Sequence, residues 1–349
     1  MRVAMLALVA RASAAATASV SRIRPPAPSP TQWFNVRGHD VLVKRDDQYR
    51  LSHEFGAGVA GNKARKLYEL AETGPGAAAV ASLGGHQSNA APCLAALCHA
   101  RKTPFFYICK PVPRWLRKTP AGNYARALAL GAILVPLQAA DYRRCIADEA
   151  WRTALLADVA EAHDVDGAVR WVPQGGACGD AEAGVAMLAE ELSTDLADLG
   201  GARVVLPAGT GTTALFLARH LASSDVEVCA VPCAMRAPDL RRSMEKLDAA
   251  TGGAGTFPTL LDAERPGEAP LRFGAPDERL LGMWKELAVA GLHVDLVYAP
   301  AAWDALLRDL ERGGDARPTC YVHCGGIAGV ATQLARYRHA GLVGDRDLE

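Results

Sequence analysis

The chain has 349 residues, of which half are hydrophobic, with 38 basic and 38 acidic side chains. This length predicts about two domains or one large α/β unit, with enough apolar material for a sizeable core. A net charge of zero argues against a protein that holds nucleic acid through phosphate contacts. No apolar run reaches about 18 residues, so no membrane-spanning helix is predicted. The nine cysteines are scattered without a CxxC pair, which disfavours disulfides or structural zinc and favours free thiols.

The N-terminal segment differs in composition from the rest of the chain. Residues 1–39 contain no acid, and five arginines lie there among many alanines and serines. The proline-rich stretch 24–30 excludes a helix or a central strand. This composition is typical of an organelle transit peptide. We therefore predict that residues 1–32 are a disordered peptide that targets the protein to a mitochondrion or plastid. A secretory signal with residues 3–10 as its apolar core is one alternative, and a tail of a cytoplasmic protein is another.

Four apolar segments are each followed by a glycine-rich turn and then by a helical pattern. In chain order, these segments are residues 77–83, 169–172, 203–206 and 319–322. The helix after the second segment has the stripe of a half-buried helix, formed by Val185, Leu188, Leu192, Leu196 and Leu199. Short apolar strands that alternate with helices predict an α/β fold with a mostly parallel sheet. Ligands of such folds bind at the carboxyl ends of the strands, where these turns lie.

The turn at residues 209–213 is the first candidate for a ligand site. Backbone N–H groups at the start of a helix form an anion site, and three threonine hydroxyls add donors here, so a phosphate is the expected ligand. The turn is not a P-loop, because no Gly-Lys-Ser/Thr follows it. It matches a loose dinucleotide pattern, but Asp225 and Glu227 lie at the wrong end of the next strand, which disfavours NAD. A turn that serves packing alone stays an alternative.

A monophosphate site without a ribose partner favours a cofactor such as pyridoxal 5'-phosphate (PLP), which needs a lysine for its Schiff base. Glycines at positions 56, 58 and 61 precede Lys63 and predict that this lysine lies at a helix start. By itself the signal is weak, because a lysine on an amphipathic helix is usually a solvated surface residue.

At these residues the sequence resembles the 1-aminocyclopropane-1-carboxylate (ACC) deaminase and D-cysteine desulfhydrase family of PLP enzymes. The resemblance extends over about residues 40–340 through motifs in this order: Val43-Lys44-Arg45-Asp46-Asp47, Gly61-Asn62-Lys63-x-Arg65-Lys66-Leu67, Gly84-Gly85-His86-Gln87-Ser88-Asn89, Gly122-Asn123-x-x-Arg126-x-x-x-x-Gly131-Ala132, Val172-Pro173-Gln174-Gly175-Gly176, Gly209–Thr213, Asp295-Leu296-Val297-Tyr298 and His323-Cys324-Gly325-Gly326. It implies a tryptophan synthase β-like fold (fold type II) with two parallel-sheet domains and helices on both faces. The large PLP-binding domain would comprise residues 33–66 and 173–349, the small inserted domain residues 67–172, and the protein would form a homodimer.

The resemblance also implies catalytic roles. Lys63 would be the Schiff-base lysine, with a pKa lowered by the neighbouring Lys66 and Arg65. Ser88 would lie over the substrate's α-carbon and share proton transfer with Lys63. Asn89 would contact the phenolic oxygen of PLP, and the amides of Ser88 and Asn89 would hold the substrate's carboxylate. Both residues also favour a helix N-cap, a role compatible with this one.

Further implied roles concern the ends of PLP and the choice of substrate. The phosphate would be held by Thr210, Gly211, Thr212 and Thr213. Cys324 would lie near the pyridine nitrogen, where a thiol is a weak hydrogen-bond partner and suits β-elimination; a small buried residue is the alternative. Tyr298 would be an active-site phenol. Phe273 stands where the family has a second tyrosine, and Ala299 follows Tyr298 where relatives have Glu or Thr. These departures disfavour ACC deaminase itself.

Together these features predict a PLP-dependent lyase that removes the α-proton of a small amino acid and eliminates a β-substituent, giving a 2-oxo acid and ammonia. D-Cysteine is the family's precedent, with pyruvate and sulfide as products. The alternatives are ACC deaminase, a deaminase of D-serine or another amino acid, a PLP-binding protein with little turnover and, least favoured, a nicotinamide-dependent oxidoreductase. No metal site and no nucleic-acid or membrane partner is predicted.

Overall fold

A computed structural model describes residues 26–344, except residues 52–54, 56–58, 266 and 314. Most of the predicted transit peptide therefore lies outside the described residues. Its last part does not, since Ser29 is only 4% exposed and accepts a hydrogen bond from Lys44 Nζ on its carbonyl oxygen at 2.6 Å. The first strand begins at Thr31. The folded part of the chain thus includes residues that precede position 33.

The described residues form ten β-strands and thirteen α-helices. The strands are β1 (Thr31–Val36), β2 (His39–Lys44), β3 (Ala79–Leu83), β4 (Phe105–Cys109), β5 (Ala132–Pro136), β6 (Val169–Val172), β7 (Ala202–Ala208), β8 (Val226–Pro232), β9 (Thr259–Leu260) and β10 (Thr319–Val322). The helices are α1 (Asn62–Lys66), α2 (Tyr68–Thr73), α3 (Ala90–Ala100), α4 (Arg114–Lys118), α5 (Gly122–Ala129), α6 (Ala139–Ala147), α7 (Glu149–Ala162), α8 (Ala181–Asp195), α9 (Thr212–His220), α10 (Ala237–Ala250), α11 (Glu278–Val289), α12 (Ala299–Glu311) and α13 (Val330–His339). Within these ranges no helix has the length and hydrophobicity that crossing a membrane would take.

The strands form two sheets. Six strands pair in the order β1-β2-β10-β7-β8-β9, and four pair in the order β5-β4-β3-β6. The pairings of these strands are parallel, apart from the antiparallel hairpin of β1 and β2. Arg37 and Gly38 form the hairpin's turn with φ of 51° and 79°, as a two-residue turn of this kind requires. The predicted α/β fold with mostly parallel sheets is confirmed.

Helices cover both faces of the larger sheet. Along β7, Val204 and Leu206 pack with Leu188 of α8, whereas Val205 between them packs with Trp303 of α12. Alternate residues of a strand point to opposite faces, so β7 is buried on both sides and reads as a continuous apolar run. The predicted arrangement of helices on both faces is confirmed for this sheet.

The smaller sheet is built from one continuous stretch of chain, from β3 to β6, whereas the larger sheet uses strands on both sides of that stretch. This stretch lies within residues 67–172, for which an inserted domain is predicted; the domain boundaries themselves stay a prediction. The four predicted strand-turn-helix units correspond to β3 with α3, β6 with α8, β7 with α9 and β10 with α13. Their turns carry the residues that the resemblance assigns to the site.

Candidate active site

Lys63 lies in the first turn of α1, and the start of this helix is fixed against the loop that follows β10. Gly61 has a φ of +64°, and a Cβ at this position would lie 2.5 Å from the carbonyl oxygen of Cys324. The N–H of Asn62 donates to the same oxygen at 3.1 Å. Only glycine allows both the positive φ and this close approach. The predicted helix start at Lys63 is confirmed, and Lys63 and Cys324 lie in one site.

The amines of Lys63 and Lys66 belong to this site, and both have lowered pKa values. Burial lowers the pKa of Lys63. Burial and then the nearby charge of Lys63 lower the pKa of Lys66 to about 7. Arg65 differs from the prediction, because its guanidinium is bound by the carboxylates of Asp46 and Glu191. Burial, and not the charge of Arg65, therefore favours the unprotonated amine that attack on an aldehyde needs.

Arg65 instead anchors α1 in a buried ionic cluster. Its guanidinium lies 3.4 Å over the ring of Tyr49 and donates to Asp46 Oδ1 at 2.9 Å. Two further hydrogen bonds, of 2.6 and 2.8 Å, join it to Glu191 of α8. Gly184 of α8 packs directly against the carbonyl oxygen of Arg65, where a Cβ would clash. The position of the lysine-bearing helix is therefore set by α8.

The turn after β7 has the geometry of the predicted anion site. Gly211 has a φ of +78°, and a Cβ there would lie 2.5 Å from Met244 Cγ. The hydroxyls of Thr210 and Thr212 lie 2.9 Å apart, and the buried Thr213 follows in the first turn of α9. The helix start and these hydroxyls together offer several donors to one anion.

Lys66 supplies an amine next to this turn, which the sequence did not indicate. Its Nζ donates to the carbonyl oxygen of Gly175 at 3.4 Å. A Cβ on Gly175 would in turn lie 3.8 Å from Thr210 Cγ2. One face of α1 thus brings Lys63 to the loop of Cys324, and the next turn brings Lys66 to the edge of the anion site.

Ser88 lies in the loop between β3 and α3, next to the phenol of Tyr107 from β4. A Cβ on Gly84 would clash with the hydroxyl of Tyr107 and lie 3.5 Å from Ser88 Oγ. The phenol of Tyr107 donates to the carbonyl oxygen of Gly85 at 2.9 Å, and Ser88 Oγ accepts from the N–H of Ala90 at 3.3 Å. Ser88 thus bonds to the start of α3, although the N-cap residue of that helix is Asn89. Burial raises the pKa of Tyr107, which keeps it a phenol.

Asn89 is fixed by a neighbour from α5 and faces the loop after β10. Its Oδ1 accepts from Asn123 Nδ2 at 2.6 Å, and its side chain makes no capping bond to α3. A Cβ on Gly326 would lie 2.9 Å from Asn89 Nδ2. The loop of the smaller sheet that carries Ser88 and Asn89 thus meets the loop of the larger sheet that carries Cys324.

Tyr298 borders the anion site from the start of α12. The carboxylate of Asp295 accepts from the N–H groups of Val297 and Tyr298 at 2.9 and 2.6 Å and so fixes the turn. A Cβ on Gly209 would lie 3.3 Å from the ring of Tyr298. Burial raises the pKa of Tyr298, so the group is a phenol at neutral pH. The ring of Phe273 packs on it edge to face, with centroids 5.2 Å apart.

Cys324 presents a neutral thiol. Burial raises its pKa to about 12. The neighbouring His323 holds the loop, because its Nδ1 accepts from the N–H of Gly325 at 3.2 Å while its Nε2 donates to the carbonyl oxygen of His293 at 2.9 Å. The structure thus gathers the predicted residues around α1, the turn at 209–213 and the loop after β10. Ser88 and Asn89 join them through Gly326.

Comparison of the sequence with family models and with curated proteins finds no match. The structure, in contrast, is similar to an ACC deaminase homologue, with a TM-score of 0.71 at 20% identity over 89% of this chain and 94% of that one. The fold is shared. A PLP-dependent aspartate racemase gives a TM-score of 0.54 at 14% identity over 85% and 90% of the two chains. A hydrogen sulfide-producing enzyme from Fusobacterium nucleatum gives 0.54 at 13% over 86% and 96%. The predicted fold is confirmed, and the resemblance that the motifs indicate holds at the level of the fold.

Proposed function

We propose that this protein is a PLP-dependent lyase that removes the α-proton of a small amino acid, eliminates its β-substituent and releases a 2-oxo acid and ammonia. Lys63 and Lys66 carry this conclusion: one short helix places the Lys63 amine, whose pKa is lowered, one turn away from a second amine at an anion site. A small molecule that carries both an aldehyde and a phosphate needs an amine for the first group and an anion site for the second. Proteins of similar structure include an aspartate racemase and an L-serine ammonia-lyase. Both are named for amino acids, which supports an amino acid as the substrate.

The residues of the site fit PLP. Lys63 would bind its aldehyde carbon, the turn of Gly211 with the hydroxyls of Thr210 and Thr212 would hold its phosphate, and Lys66 would balance the phosphate's charge. When bound, PLP supplies an electron-withdrawing ring that makes the α-proton of an attached amino acid acidic. The neutral thiol of Cys324 would be a weak donor to the ring nitrogen. A weakly activated ring suits the expulsion of a β-substituent.

The chain's own groups orient the substrate and move the proton. The amine of Lys63 would accept and return the α-proton, with Ser88, the neighbour of Tyr107, as its partner hydroxyl. The backbone N–H of Asn89 would hold the substrate's carboxylate, whereas the N–H of Ser88, predicted to share this role, donates to the carbonyl oxygen of Gly85 at 3.0 Å. Asn89, whose side chain Asn123 fixes at 2.6 Å, would donate to the ring's oxygen. Because these groups are held by hydrogen bonds before substrate arrives, little reorganisation is needed during the reaction.

D-Cysteine is the substrate that we propose first, with pyruvate, sulfide and ammonia as products. D-Serine, another small amino acid, or slow turnover on a bound PLP are the alternatives. Phe273 has no phenol beside Tyr298, so ACC is not expected to yield 2-oxobutanoate. An oxidoreductase is not proposed, because Glu227 lies at the far end of β8 from the turn and pairs with Arg317 and Thr259.

The full chain, purified and incubated with PLP, tests the proposal. We expect a visible absorption band that borohydride abolishes, with the reduced cofactor mapped to Lys63 by mass spectrometry. The variant Lys63→Ala should lose the band, and Lys246→Ala, which changes an exposed lysine of α10, should keep it. Pyruvate and sulfide from D-cysteine but not L-cysteine would fix the reaction and its handedness. A protein that PLP does not colour would overturn the proposal.

We also propose that the protein forms a homodimer and that its acid-free N-terminus targets it to an organelle. Sedimentation of the purified chain at several concentrations tests the first. Fusion of residues 1–32 to a fluorescent protein tests the second: import into mitochondria or plastids supports it, whereas secretion or a diffuse cytoplasmic signal contradicts it.

A further inference from the structure

The charges of this neutral chain are distributed unevenly. Between Glu72 and Asp141 there is no acidic residue, although acids and bases are equal in number over the whole chain. The bases in this stretch are Arg101, Lys102, Lys110, Arg114, Arg117, Lys118 and Arg126. The stretch includes β3 to β5 and the loop of Ser88 and Asn89. The chain is neutral overall, but the stretch that contains the loop of Ser88 and Asn89 is net positive.

Residues 110–121, which we call the basic segment, are tied to the catalytic loop at both ends. His86 Nε2 donates to the carbonyl oxygen of Lys110 at 2.9 Å. Gln87 Nε2 donates to the carbonyl oxygen of Ala121 at 3.0 Å. His86 and Gln87 directly precede Ser88. The basic segment thus leaves the loop of Ser88 and Asn89 and returns to it, so its two ends lie next to the residues that would contact a substrate.

The charged side chains of the basic segment are exposed, and none has an acidic partner among the described residues. Leu116 anchors α4 with 1% of its surface exposed, whereas Trp115 beside it is 61% exposed. Arg114, Arg117 and Lys118 are exposed on the same helix, and in the described part of the chain no ion pair joins them to a carboxylate. Charges of one sign around a cleft raise the local concentration of ligands of the opposite sign.

We propose that the basic segment selects amino acids whose β-substituent carries negative charge, such as a phosphate or sulfate ester. The inference rests on the proposed function and narrows its substrate class. A neutral zwitterion such as D-serine or D-cysteine gains nothing from a positive potential, whereas a net anion is drawn to the site. In the elimination from O-phosphoserine, the α-proton leaves, and the electrons of the Cα–H bond form the new C=C bond. The C–O bond breaks with its electron pair on the phosphate, and water converts the remaining enamine to pyruvate and ammonia.

The first test measures the potential without any catalysis. Trp115 serves as the reporter, and its fluorescence is the difference between wild type and Trp115→Phe. We expect iodide to quench it several-fold more strongly than caesium does, and this preference to be lost in R114E/R117E/K118E and weakened in R114Q/R117Q/K118Q. Trp33, which is 56% exposed on β1, is the control and should not respond to these changes. Equal quenching of Trp115 by both ions would overturn the proposal.

The second test compares two activated serine esters, O-phosphoserine and O-acetylserine, whose ester group is uncharged. Both the D- and the L-enantiomer of each are used. At low ionic strength we expect the triple charge reversal to lower kcat/KM for O-phosphoserine by about tenfold and that for O-acetylserine by less than about twofold. The matched control R241E/R242E/K246E makes the same change in net charge on α10 and should leave both values near those of wild type. Added salt should weaken the preference.

Failure of the proposed function gives a different result from failure of this inference. If no amino acid is turned over, binding is followed by the fluorescence of Trp115 during titration with O-phosphoserine and with serine. Tighter binding of O-phosphoserine that disappears in R114E/R117E/K118E supports the inference even then. Equal binding or equal turnover of charged and uncharged ligands, or equal effects of the α4 and α10 reversals, overturns it.

Discussion

The guanidinium of Arg65 donates two hydrogen bonds to the carboxylate of Glu191, although 126 residues separate them in the chain. Arg65 lies two positions after Lys63 in a helix of only five residues. So short a helix has little stability of its own. The ion pair of Arg65 and Glu191 therefore fixes the position of the helix that carries Lys63. Glu191 lies outside the motif that contains the lysine.

Replacing Glu191 by Gln should lower the free energy of unfolding by about 3 kcal/mol, because one partner of a buried ion pair is neutralised while Arg65 stays charged. It should also weaken retention of PLP. Urea unfolding and the visible spectrum measure the two effects. Glu190→Gln, an exposed change on the same helix, is the control and should cost less than about 0.5 kcal/mol. Equal losses in both variants would show that α8 does not hold α1 through this pair.

The alanine variant of Gly61 should suffer from both strain and contact. Gly38→Ala and Gly61→Ala both place a side chain at a positive φ, which costs about 1–3 kcal/mol, and Gly61, with a φ of 64° and a ψ of −152°, lies in a region nearly confined to glycine. A Cβ at Gly38 meets nothing within 4 Å, whereas one at Gly61 meets the carbonyl oxygen of Cys324. We expect Gly61→Ala to lose about 2 kcal/mol more than Gly38→Ala and to lose PLP as well. Thermal unfolding and absorption spectra give both values, and a Gly61→Ala protein that binds PLP normally would contradict the contact.

We expect Tyr107→Phe to lower kcat about tenfold and to leave KM nearly unchanged, because Ser88 loses the neighbouring hydroxyl that could orient its own. In a Ser88→Ala background the same change should have no further effect, since two residues that act as a unit are not additive. The control is Tyr142→Phe, which changes another tyrosine near the smaller sheet. Steady-state kinetics of the four combinations decide the point, and additive losses would mean that Tyr107 acts elsewhere.

The pKa of Lys66 predicts how the stability of the cofactor-free protein depends on pH. The folded chain releases this proton at about pH 7 and the unfolded chain at 10.5. Between these values the unfolded state binds more protons, so the free energy of unfolding rises with pH, by up to about 1.4 kcal/mol per pH unit. Below pH 7 both states are protonated and the full cost of burial remains.

Urea unfolding at pH 6, 7, 8 and 9 measures this effect as the difference between wild type and Lys66→Met, so that other titrating groups cancel. The difference should favour the variant most at pH 6 and shrink as the pH rises. Lys246→Met, on the exposed face of α10, should show a difference that does not vary with pH. A constant difference for Lys66→Met would mean that Lys66 stays protonated in the folded protein.

Local sequence signals predicted much of the site. The glycine turns after β3, β7 and β10 combine an apolar run, a turn residue and a helical period within about twenty residues. Such signals also predicted the helix start at Lys63, and the resemblance supplied the roles of Ser88 and Asn89. The anion-site geometry of Gly211 follows from its positive φ, which the pattern of glycines already indicates.

The remaining parts of the site depend on contacts between distant segments. Tyr107 lies in the apolar run of β4 and looks like a core residue, so nothing in its neighbourhood in the sequence indicates that its hydroxyl lies beside Ser88. Arg65 was predicted to act on Lys63, but its partner Glu191 lies on another helix. Lys66 stands in a quoted motif, yet only the folded chain shows that it reaches the edge of the anion site. Periodicity predicts elements, whereas these pairs depend on how the elements pack.

Because residues 73–140 carry bases and no acids in a chain of zero net charge, the excess acids lie in the rest of the molecule. The protein therefore combines a net-positive stretch with a net-negative remainder, although its sequence predicts an isoelectric point of about 7.1. A column matrix meets one part of a surface at a time, not the net charge. At neutral pH the protein should be retained by a cation exchanger through α4 and by an anion exchanger through the net-negative remainder, whereas a neutral protein with evenly mixed charges would pass through both.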